Sequence, residues 1–409
     1  MGHLKTIIFI GTNKSGSSRE AIKAAEQLGY FNVLFTKNER QIQQREEYKD
    51  VHEMILVDTN NYTEMKNEIM NLKQKGYEIL TVVSFLDSYV HIASLLCGEY
   101  CKNYTSSRAI EMMENKEETR SFLKDQSYTP KFSIIKPGDS FDSVSEKMAF
   151  PVIVKFPKST GSKDVLYAAN NDELIRHTKS LQEKNPYEVM IVEEYIEGKQ
   201  YLVEAMVHNS KVMIAGIIEQ EIIRGRRFII TGYGVLVDPP VYLMSSIEKV
   251  LNSVVSKFNI KNGTLHLELR STGRGLKIIE INPRISGGAM NNMLKAAFGF
   301  SLVEETLKLF LGETPSLEPK HINHIYTQYV IVTRKGILER VTGRGRAKKS
   351  PGVVEVFIKP KKGTRLTPPL SLGHRYAYVI ATGDSIDEAK RNAKKAAREI
   401  TFHLNEDTQ

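Results

Sequence analysis

The chain has 409 residues, with 57 lysines and arginines against 48 aspartates and glutamates, so its formal net charge is +9. Its hydrophobic fraction of 41% and charged fraction of 26% are ordinary for a globular protein, which excludes wholesale disorder and collagen-like repeats. The sequence has two cysteines, and no apolar run approaches the roughly 20 residues of a membrane-spanning helix. We therefore expect a cytoplasmic protein of roughly two to four domains, without disulfides or membrane contact.

Strands alternate with helices in the first ninety residues. Helical patterns lie at residues 19–28 and 62–75, and β-rich segments lie at residues 6–10, 32–36, 54–57 and 79–84. This alternation predicts a doubly wound parallel sheet. Gly11 and Gly16 have the spacing of a P-loop, but the lysine that should follow the second glycine is missing, so we interpret this segment as a strand-to-helix turn.

After the N-terminal α/β alternation, the sequence predicts longer helices and pairs of antiparallel strands. A charged helix is predicted at residues 108–126, and one long helix at residues 289–311. Strands are predicted at residues 151–157 and 190–194, with antiparallel pairs at 201–208 with 212–220 and at 265–270 with 276–281. The last ninety residues are β-rich and close with a helix from residue 385 to about residue 403.

The second antiparallel pair carries the most informative polar pattern. Because side chains on a strand alternate between its faces, one face carries His266, Glu268, Arg270, Glu280 and Asn282. Two carboxylates and an amide oxygen on one face are typical ligands of Mg²⁺, which takes substrate phosphates as further ligands. The alternative is a solvated polar sheet face. The opposite face, which should enter the core, carries Leu267, Leu269, Ile279 and Ile281.

The segment after this hairpin favours an anion site. Asn282, Pro283 and Arg284 end the strand, and the glycines at 287 and 288 precede a predicted helix. Backbone amides at the start of a helix bind anions, and an arginine beside them can clamp a carboxylate. This stretch of about twenty residues combines metal ligands, an anion site and an arginine. The combination indicates a catalytic segment rather than a solvated polar surface.

This ordered set of motifs resembles the ATP-grasp enzymes. The hairpin with Arg284 is similar to their metal and substrate segment, and the segments around Lys116 and Lys155 are similar to the two that carry nucleotide-binding lysines. The family's flexible glycine-rich loop is matched by Ser159, Thr160, Gly161 and Ser162, although this loop is poor in glycine. The family's adenine and ribose hinge is matched by Glu193, Glu194, Tyr195 and Ile196.

The resemblance implies an α/β fold class with an α+β ATP-binding part, preceded by the doubly wound parallel-sheet domain and followed by a β-rich domain. The implied boundaries are 1–112 for the N-terminal α/β domain, 113–198 for the ATP-grasp lid, 199–314 for the large subdomain with the metal and substrate site, and 315–409 for a C-terminal biotin-carboxylase-like segment. The branch that the chain most resembles is that of the L-amino-acid ligases that make dipeptides, as in bacilysin synthesis. Asp87 only loosely matches the acidic residue that this branch carries after the strand at 79–84.

In this family a carboxylate attacks the γ-phosphate of ATP, and an amine then displaces phosphate from the acyl phosphate. The resemblance implies that Lys116 and Lys155 balance phosphate charge. It also implies that Arg284 grips the substrate carboxylate and, with Gly287 and Gly288, stabilises the oxyanion. The implied ligands of Mg²⁺, or of Mn²⁺, are Glu268, Glu280 and Asn282.

Several of these side chains have simpler interpretations. Lys155 lies inside an apolar strand, so its ammonium should meet an anion, whereas Lys116 taken alone fits a solvated surface position better than a functional one. Glu193 and Glu194 are adjacent and point to opposite faces, so one of them should reach the ribose, and we favour Glu193.

Other candidates are ambiguous from the sequence. His266 either contacts substrate and relays a proton or serves as a structural hydrogen-bonding residue. Glu204 faces either the amino-acid pocket or the surface. Arg226, in the basic loop 224–227, either approaches phosphates or lies in a solvated turn. The cysteines Cys97 and Cys101 lie one helical turn apart and are expected to pack rather than bind zinc.

The excess charge is local. Residues 340–365 carry nine basic residues and one acid, a sum of +8, so the rest of the chain is near neutral at +1. This segment either faces the ATP phosphates or forms a solvated strand edge. Nucleic-acid binding, the non-enzymatic alternative, predicts aromatics among the basic residues, and only Phe357 is present there. We expect two small-molecule substrates, preferably amino acids, with a carrier protein or a biosynthetic amine as alternative acceptors, and homodimerisation as in related enzymes.

Overall fold

The computed structural model describes residues 4–102, 105–139, 148–157, 164–224, 228–369 and 372–405. In this part of the chain the strands form a parallel four-stranded sheet at the N-terminus and three antiparallel sheets. No helix within the described ranges is long and apolar enough to cross a membrane.

The N-terminal sheet is parallel throughout, with the strand order β3-β2-β1-β4. Its strands are β1 (Leu4–Ile10), β2 (Phe31–Thr36), β3 (Glu53–Leu56) and β4 (Tyr77–Val83). Its helices are α1 (Ser17–Gln27), α2 (Glu39–Gln43), α3 (Tyr62–Gln74) and α4 (Val90–Tyr100). Apolar side chains of α1 pack on one face, and those of α3 and α4 pack on the other, so the predicted doubly wound sheet is confirmed.

The charged segment that follows forms two helices rather than the predicted single one. These are α5 (Ser107–Glu114) and α6 (Lys116–Phe122). Asn115 separates them because its side chain accepts hydrogen bonds from the backbone N–H groups of Glu117 and Glu118. An asparagine in this role starts a new helix, and it places Lys116 at the first position of α6.

A small antiparallel sheet comes next, with the strand order β5-β8-β6-β7. Its strands are β5 (Phe132–Ile135), β6 (Val152–Lys155), β7 (Leu166–Ala168) and β8 (Met190–Glu194). Helix α7 (Asn171–Lys184) covers one face through Leu174 and Leu181. Because β6 pairs with β8, Lys155 and Glu193 lie on adjacent strands.

The central sheet has eight antiparallel strands in the order β13-β12-β9-β10-β11-β14-β18-β16. They are β9 (Gln200–His208), β10 (Lys211–Arg224), β11 (Phe228–Val235), β12 (Gly263–Thr272), β13 (Gly275–Asn282), β14 (His324–Val330), β16 (Val353–Ile358) and β18 (Ala377–Gly383). Helix α8 (Val241–Lys257) packs its apolar side chains on one face of this sheet.

The predicted helix at residues 289–311 is interrupted. It consists of α9 (Met290–Phe298) and α10 (Leu302–Phe310). Gly299 has a φ of 82°, a left-handed conformation that ends α9, and the Ser301 side chain accepts a hydrogen bond from the backbone N–H of Glu304 to begin α10. Both helices contribute to the core beneath the central sheet.

The C-terminal helix is also shorter than predicted. Helix α12 (Ile386–Arg398) is followed by strand β19 (Thr401–Asn405), which pairs with β15 (Gly336–Thr342). Phe402 and Leu404, at alternate positions, pack into a small core, and this period of two fits a strand rather than a helix. The short elements β17 (Arg365–Leu366) and α11 (Arg344–Lys349) complete this region.

A bulge in the β12–β13 hairpin changes one predicted side chain. Glu268 lies opposite Glu280 as expected, but Leu269 lies opposite Ile278 because the register shifts by one residue. Ile278 therefore enters the core, and Ile279, which we expected there, is half-buried and lines the central cavity beside Glu280.

Candidate active site

A cavity of about 440 Å³ lies on the face of the central sheet opposite α8. Its walls come from the small sheet, from α6, from the loop after β13 and from the residues before β18. It is lined by each predicted site residue that the structure describes: Lys116, Lys155, Glu193, Glu194, Tyr195, Ile196, His266, Glu268, Glu280, Asn282, Arg284, Gly287 and Gly288. The predicted residues Ser159, Thr160, Gly161, Ser162 and Arg226 lie outside the described residues.

A buried ionic network forms one wall of the cavity. The Glu193 carboxylate accepts a hydrogen bond of 2.7 Å from Lys155 Nζ and one of 2.6 Å from Arg120 Nε. A second donor of Arg120 binds the carbonyl oxygen of Ile279 at 2.7 Å. Burial alone would raise the pKa of Glu193, but the two cations hold it down at about 2. Lys155 thus meets an anion as predicted, and both carboxylate oxygens of Glu193 face protein cations.

The two carboxylates of the central hairpin lie next to each other in the cavity. The Nζ atom of Lys116 is 3.2 Å from Glu280 Oε1, and Gln200 Nε2 donates to Glu268 Oε2 at 2.9 Å. Burial and the like charge of Glu280 together raise the pKa of Glu268. Lys116, which the sequence left ambiguous, therefore contacts Glu280, one of the predicted metal ligands.

The donor set of this hairpin fits a hard divalent cation. A cation between Glu268 and Glu280 would relieve their mutual repulsion, and Asn282 adds an amide oxygen on the same face. Among the residues that the structure describes, no group of three or more His, Cys, Asp or Glu side chains is arranged to hold a metal ion. A metal at this pair would therefore take further ligands from a bound nucleotide, as is usual for Mg²⁺.

A histidine–glutamate pair lies beside these carboxylates. Glu204, which is fully buried on β9, accepts a hydrogen bond of 3.1 Å from the backbone N–H of Ser286. Its other oxygen is 2.6 Å from His266 Nδ1, and His266 Nε2 lies 3.9 Å from Glu268 Oε1. Burial would lower the pKa of His266, but the Glu204 carboxylate raises it above its usual value. Glu204 is therefore an internal residue that orients the His266 ring.

Arg284 and Asp87 line the end of the cavity near the N-terminal domain, and Glu114 lies close to both. Arg284 Nε donates to Asp87, which lies in the loop after β4, and Arg284 Nη1 donates to the Ile285 carbonyl at 2.9 Å. Burial, together with the Asp87 carboxylate, raises the pKa of Glu114 to about 7. The N-terminal domain thus contacts the candidate substrate arginine directly.

An aromatic wall marks the hinge side. The rings of Tyr195 and Phe228 are stacked, with centroids 5.8 Å apart. The Arg270 guanidinium lies 5.4 Å from the Tyr195 ring centroid, and Glu194 Oε1 accepts a hydrogen bond of 2.8 Å from the backbone N–H of Lys131. Flat apolar walls of this kind suit a planar base.

Five lining or supporting residues had no role in the sequence interpretation: Arg120, Gln200, Gln220, Tyr233 and Arg375. The basic segment at 340–365 contributes no lining residue within the described chain, and its nine lysines and arginines are exposed. Of the two uses that we considered for this segment, only the solvated edge agrees with this position.

Comparison with known proteins identifies two regions. Residues 148–292 match the ATP-grasp domain family, and residues 328–405 match the family described as L-amino acid ligase C-terminal domain 2. The chain is 24% identical over 369 residues to an L-arginine-specific L-amino acid ligase of Bacillus subtilis. The aligned segment covers 87% of this chain and 87% of that ligase.

Solved structures share the fold over the whole chain. The L-amino acid ligase from Bacillus licheniformis superposes with a TM-score of 0.82 at 17% identity, covering 99% of this chain and 100% of that one. A second match is the biotin carboxylase domain dimer of 2-oxoglutarate carboxylase from Hydrogenobacter thermophilus, in complex with MgADP, ADP and bicarbonate. Its TM-score is 0.65 at 18% identity, covering 99% of this chain and 91% of that chain. These likenesses agree with the ATP-grasp fold expected from the motifs.

Proposed function

We propose that this chain, a carboxylate–amine ligase of the ATP-grasp family with an L-amino acid ligase C-terminal domain, forms dipeptides from two amino acids. The donor carboxylate attacks the γ-phosphorus of ATP, which releases ADP and leaves an acyl phosphate. The amine of the acceptor then attacks the acyl carbon, the carbon–oxygen bond to phosphate breaks, and inorganic phosphate departs.

The observation that carries this proposal is the distribution of charge in the cavity. Lys155 and Lys116 lie where they can balance phosphate charge, and each already contacts a carboxylate of the site. Mg²⁺ bound by Glu268, Glu280 and Asn282 would supply further neutralisation of the phosphates. The hinge wall at Tyr195 suits adenine, which gives the nucleotide a place on one side of the cavity.

The opposite side of the cavity suits the reacting carboxylate. We assign Arg284 to orient the donor carboxylate and to stabilise the oxyanion that forms on it, with backbone amides of Gly287 and Gly288 nearby. His266, held by Glu204, is assigned to accept the proton that the attacking amine loses. Asp87, through its contact with Arg284, makes the N-terminal domain part of this substrate end.

A panel of amino-acid pairs tests the proposal. Each of the twenty amino acids is supplied with ATP and Mg²⁺ as donor and as acceptor, and ADP release is measured together with dipeptide formation. We expect ADP and dipeptide in equal amounts for a subset of pairs, because phosphorylation without an acceptor stalls at the acyl phosphate. If no pair stimulates ADP release, dipeptide synthesis is ruled out.

Hydroxylamine separates the two half-reactions. It attacks an acyl phosphate and gives a hydroxamate, so a donor can be identified without any acceptor amino acid. If hydroxamate forms with an amino-acid donor but no amino acid serves as acceptor, then a carrier protein or another biosynthetic amine is the acceptor.

A further inference from the structure

Besides Arg270 and Arg284, a third arginine lines the cavity. Arg375 precedes β18, and its guanidinium lies over the Tyr329 ring at 3.9 Å and over the Tyr233 ring at 5.5 Å from their centroids. Its Nη1 donates to the Tyr233 hydroxyl at 3.0 Å. An arginine held by two aromatic rings and a tyrosine hydroxyl has a restricted orientation, so little side-chain entropy is lost when it binds an anion.

An amide oxygen beside this arginine is buried without a partner. Gln220 lies opposite Tyr233 in the β10–β11 pair, so the two side chains share one sheet face, and both line the cavity. Among the described residues, Gln220 Oε1 has no hydrogen-bond donor although the residue is only 7% exposed. A buried acceptor without a donor is costly, which indicates that a ligand carrying an N–H group completes it.

These groups lie within reach of the metal-binding carboxylates. Gln200, which donates to Glu268, lies on β9, and Gln220 lies on the neighbouring strand β10. Glu219 lies opposite Tyr201 in the β9–β10 pair, so the next residues, Gln220 and Gln200, lie close to each other on the cavity side of the sheet. Burial would lower the pKa of Arg375, but Tyr233, Tyr329 and the charge of Glu268 together raise it.

The chemistry of dipeptide formation calls for such a pair. The donor carboxylate is consumed in the reaction, but the acceptor amino acid keeps its own carboxylate and enters the cavity with a charge that must be balanced. Arg284 is already paired with Asp87 of the N-terminal domain. We propose that Arg375, supported by Tyr233 and Tyr329, binds the α-carboxylate of the acceptor amino acid, and that Gln220 accepts a hydrogen bond from its amine. This inference rests on the proposed function and names the site of its second substrate.

The competing source of the anion is a phosphate of ATP, and the acceptor carboxamide distinguishes the two. The wild-type enzyme is compared with an acceptor amino acid and with its carboxamide, which keeps the amine but lacks the charge. We expect kcat/KM to favour the free acid by about 100-fold, the usual consequence of leaving a buried charge without its partner. This comparison needs no variant. No preference, or a preference for the amide, would overturn the assignment.

The variant Arg375→Met tests whether the preference for the free acid over the carboxamide depends on this arginine. We expect the preference for the acid over the amide to fall by about 100-fold, almost entirely through a loss of kcat/KM for the acid. Arg375→Lys should restore part of the preference, because it keeps the charge but loses the planar fork. Arg344→Met, which removes an exposed arginine of α11 outside the cavity, should leave the preference at the wild-type value.

The remaining outcomes decide against the subsite. If Arg375→Met raises the KM for ATP and lowers hydroxamate formation as much as dipeptide formation, Arg375 binds phosphate and the inference is wrong. Equal losses with acid and amide at an unchanged KM for ATP would mean a purely structural arginine and would also overturn it. Absence of hydroxamate with any donor in the wild-type enzyme is a different result, since it defeats the proposed function itself.

Discussion

Replacing Glu280 with glutamine is expected to lower kcat for donor-dependent ADP release by about 10³-fold at saturating ATP. Glutamine keeps the size of the side chain and its acceptor oxygen but removes the charge that a divalent cation requires. The measurement is ADP formation over a range of Mg²⁺ concentrations. The matched control is Glu219→Gln, which removes a carboxylate of β10 that pairs with Lys199 and does not line the cavity.

Stability separates a metal ligand from a structural carboxylate in the same experiment. Glu280→Gln removes the repulsion between Glu268 and Glu280 but also the ion pair of Glu280 with Lys116, so the melting temperature of the metal-free protein should change little. The increase in melting temperature that MgADP produces in the wild-type protein should be lost in this variant. Full activity of Glu280→Gln would refute the metal assignment.

Replacing Glu193 with glutamine is expected to destabilise the protein by about 3–5 kcal/mol, the usual cost of breaking a buried ion pair from one side. The change leaves the buried side chains of Lys155 and Arg120 facing a neutral amide. Urea denaturation measures this effect. Glu194→Gln, at the next position and half-exposed, should cost about 1 kcal/mol or less, because the amide oxygen can still accept the hydrogen bond from the Lys131 backbone N–H and only the charge is lost.

The same residue gives the protein a defined acid sensitivity. The pKa of Glu193 falls from an ordinary 4.5 to about 2 on folding, so its contribution to stability is fully present above pH 4.5. This contribution is lost as the pH falls from 4.5 towards 2, where the carboxylate takes up a proton. The Glu193→Gln variant should lack this part of the pH dependence. If Glu193→Gln has the same urea midpoint as the wild-type protein at neutral pH, the stabilising role of this ionic network is refuted.

The local part of the site could be predicted from the sequence. The turn at 271–275 sets the register of the hairpin, and strand alternation then brings Glu268 opposite Glu280, as the structure has it. Lys155 could be expected to meet an anion because it interrupts an apolar strand. The order of these motifs along the chain also indicates the ATP-grasp fold.

Local breaks in regular elements were harder to predict. The bulge after Glu268 shifts the register by one residue and moves Ile279 into the cavity, although the alternating pattern continues through it. Asn115 and Gly299 end helices within runs that remain favourable for a helix. Asparagine and glycine are tolerated within helices and can also cap them, so tertiary packing decides whether the helix continues or ends at such a residue.

Contacts between distant segments could not be predicted at all. Arg120 joins Glu193 to the Ile279 carbonyl, which lies 159 residues away along the chain, and nothing in its charged helix distinguishes it from its neighbours. The same applies to the contact of Asp87 with Arg284 and to the contacts of Arg375 with Tyr233 and Tyr329. These contacts depend on how the units pack together, which local periodicity does not encode.

The central claim is that a substrate carboxylate is phosphorylated before the peptide bond forms, and oxygen labelling tests it most directly. A donor amino acid carrying ¹⁸O in its carboxylate is incubated with ATP, Mg²⁺ and the acceptor, and the released phosphate is analysed by mass spectrometry. An acyl phosphate predicts one ¹⁸O atom transferred to phosphate for each dipeptide formed, with ADP as the nucleotide product. Unlabelled phosphate, or AMP and pyrophosphate as products, would contradict the account.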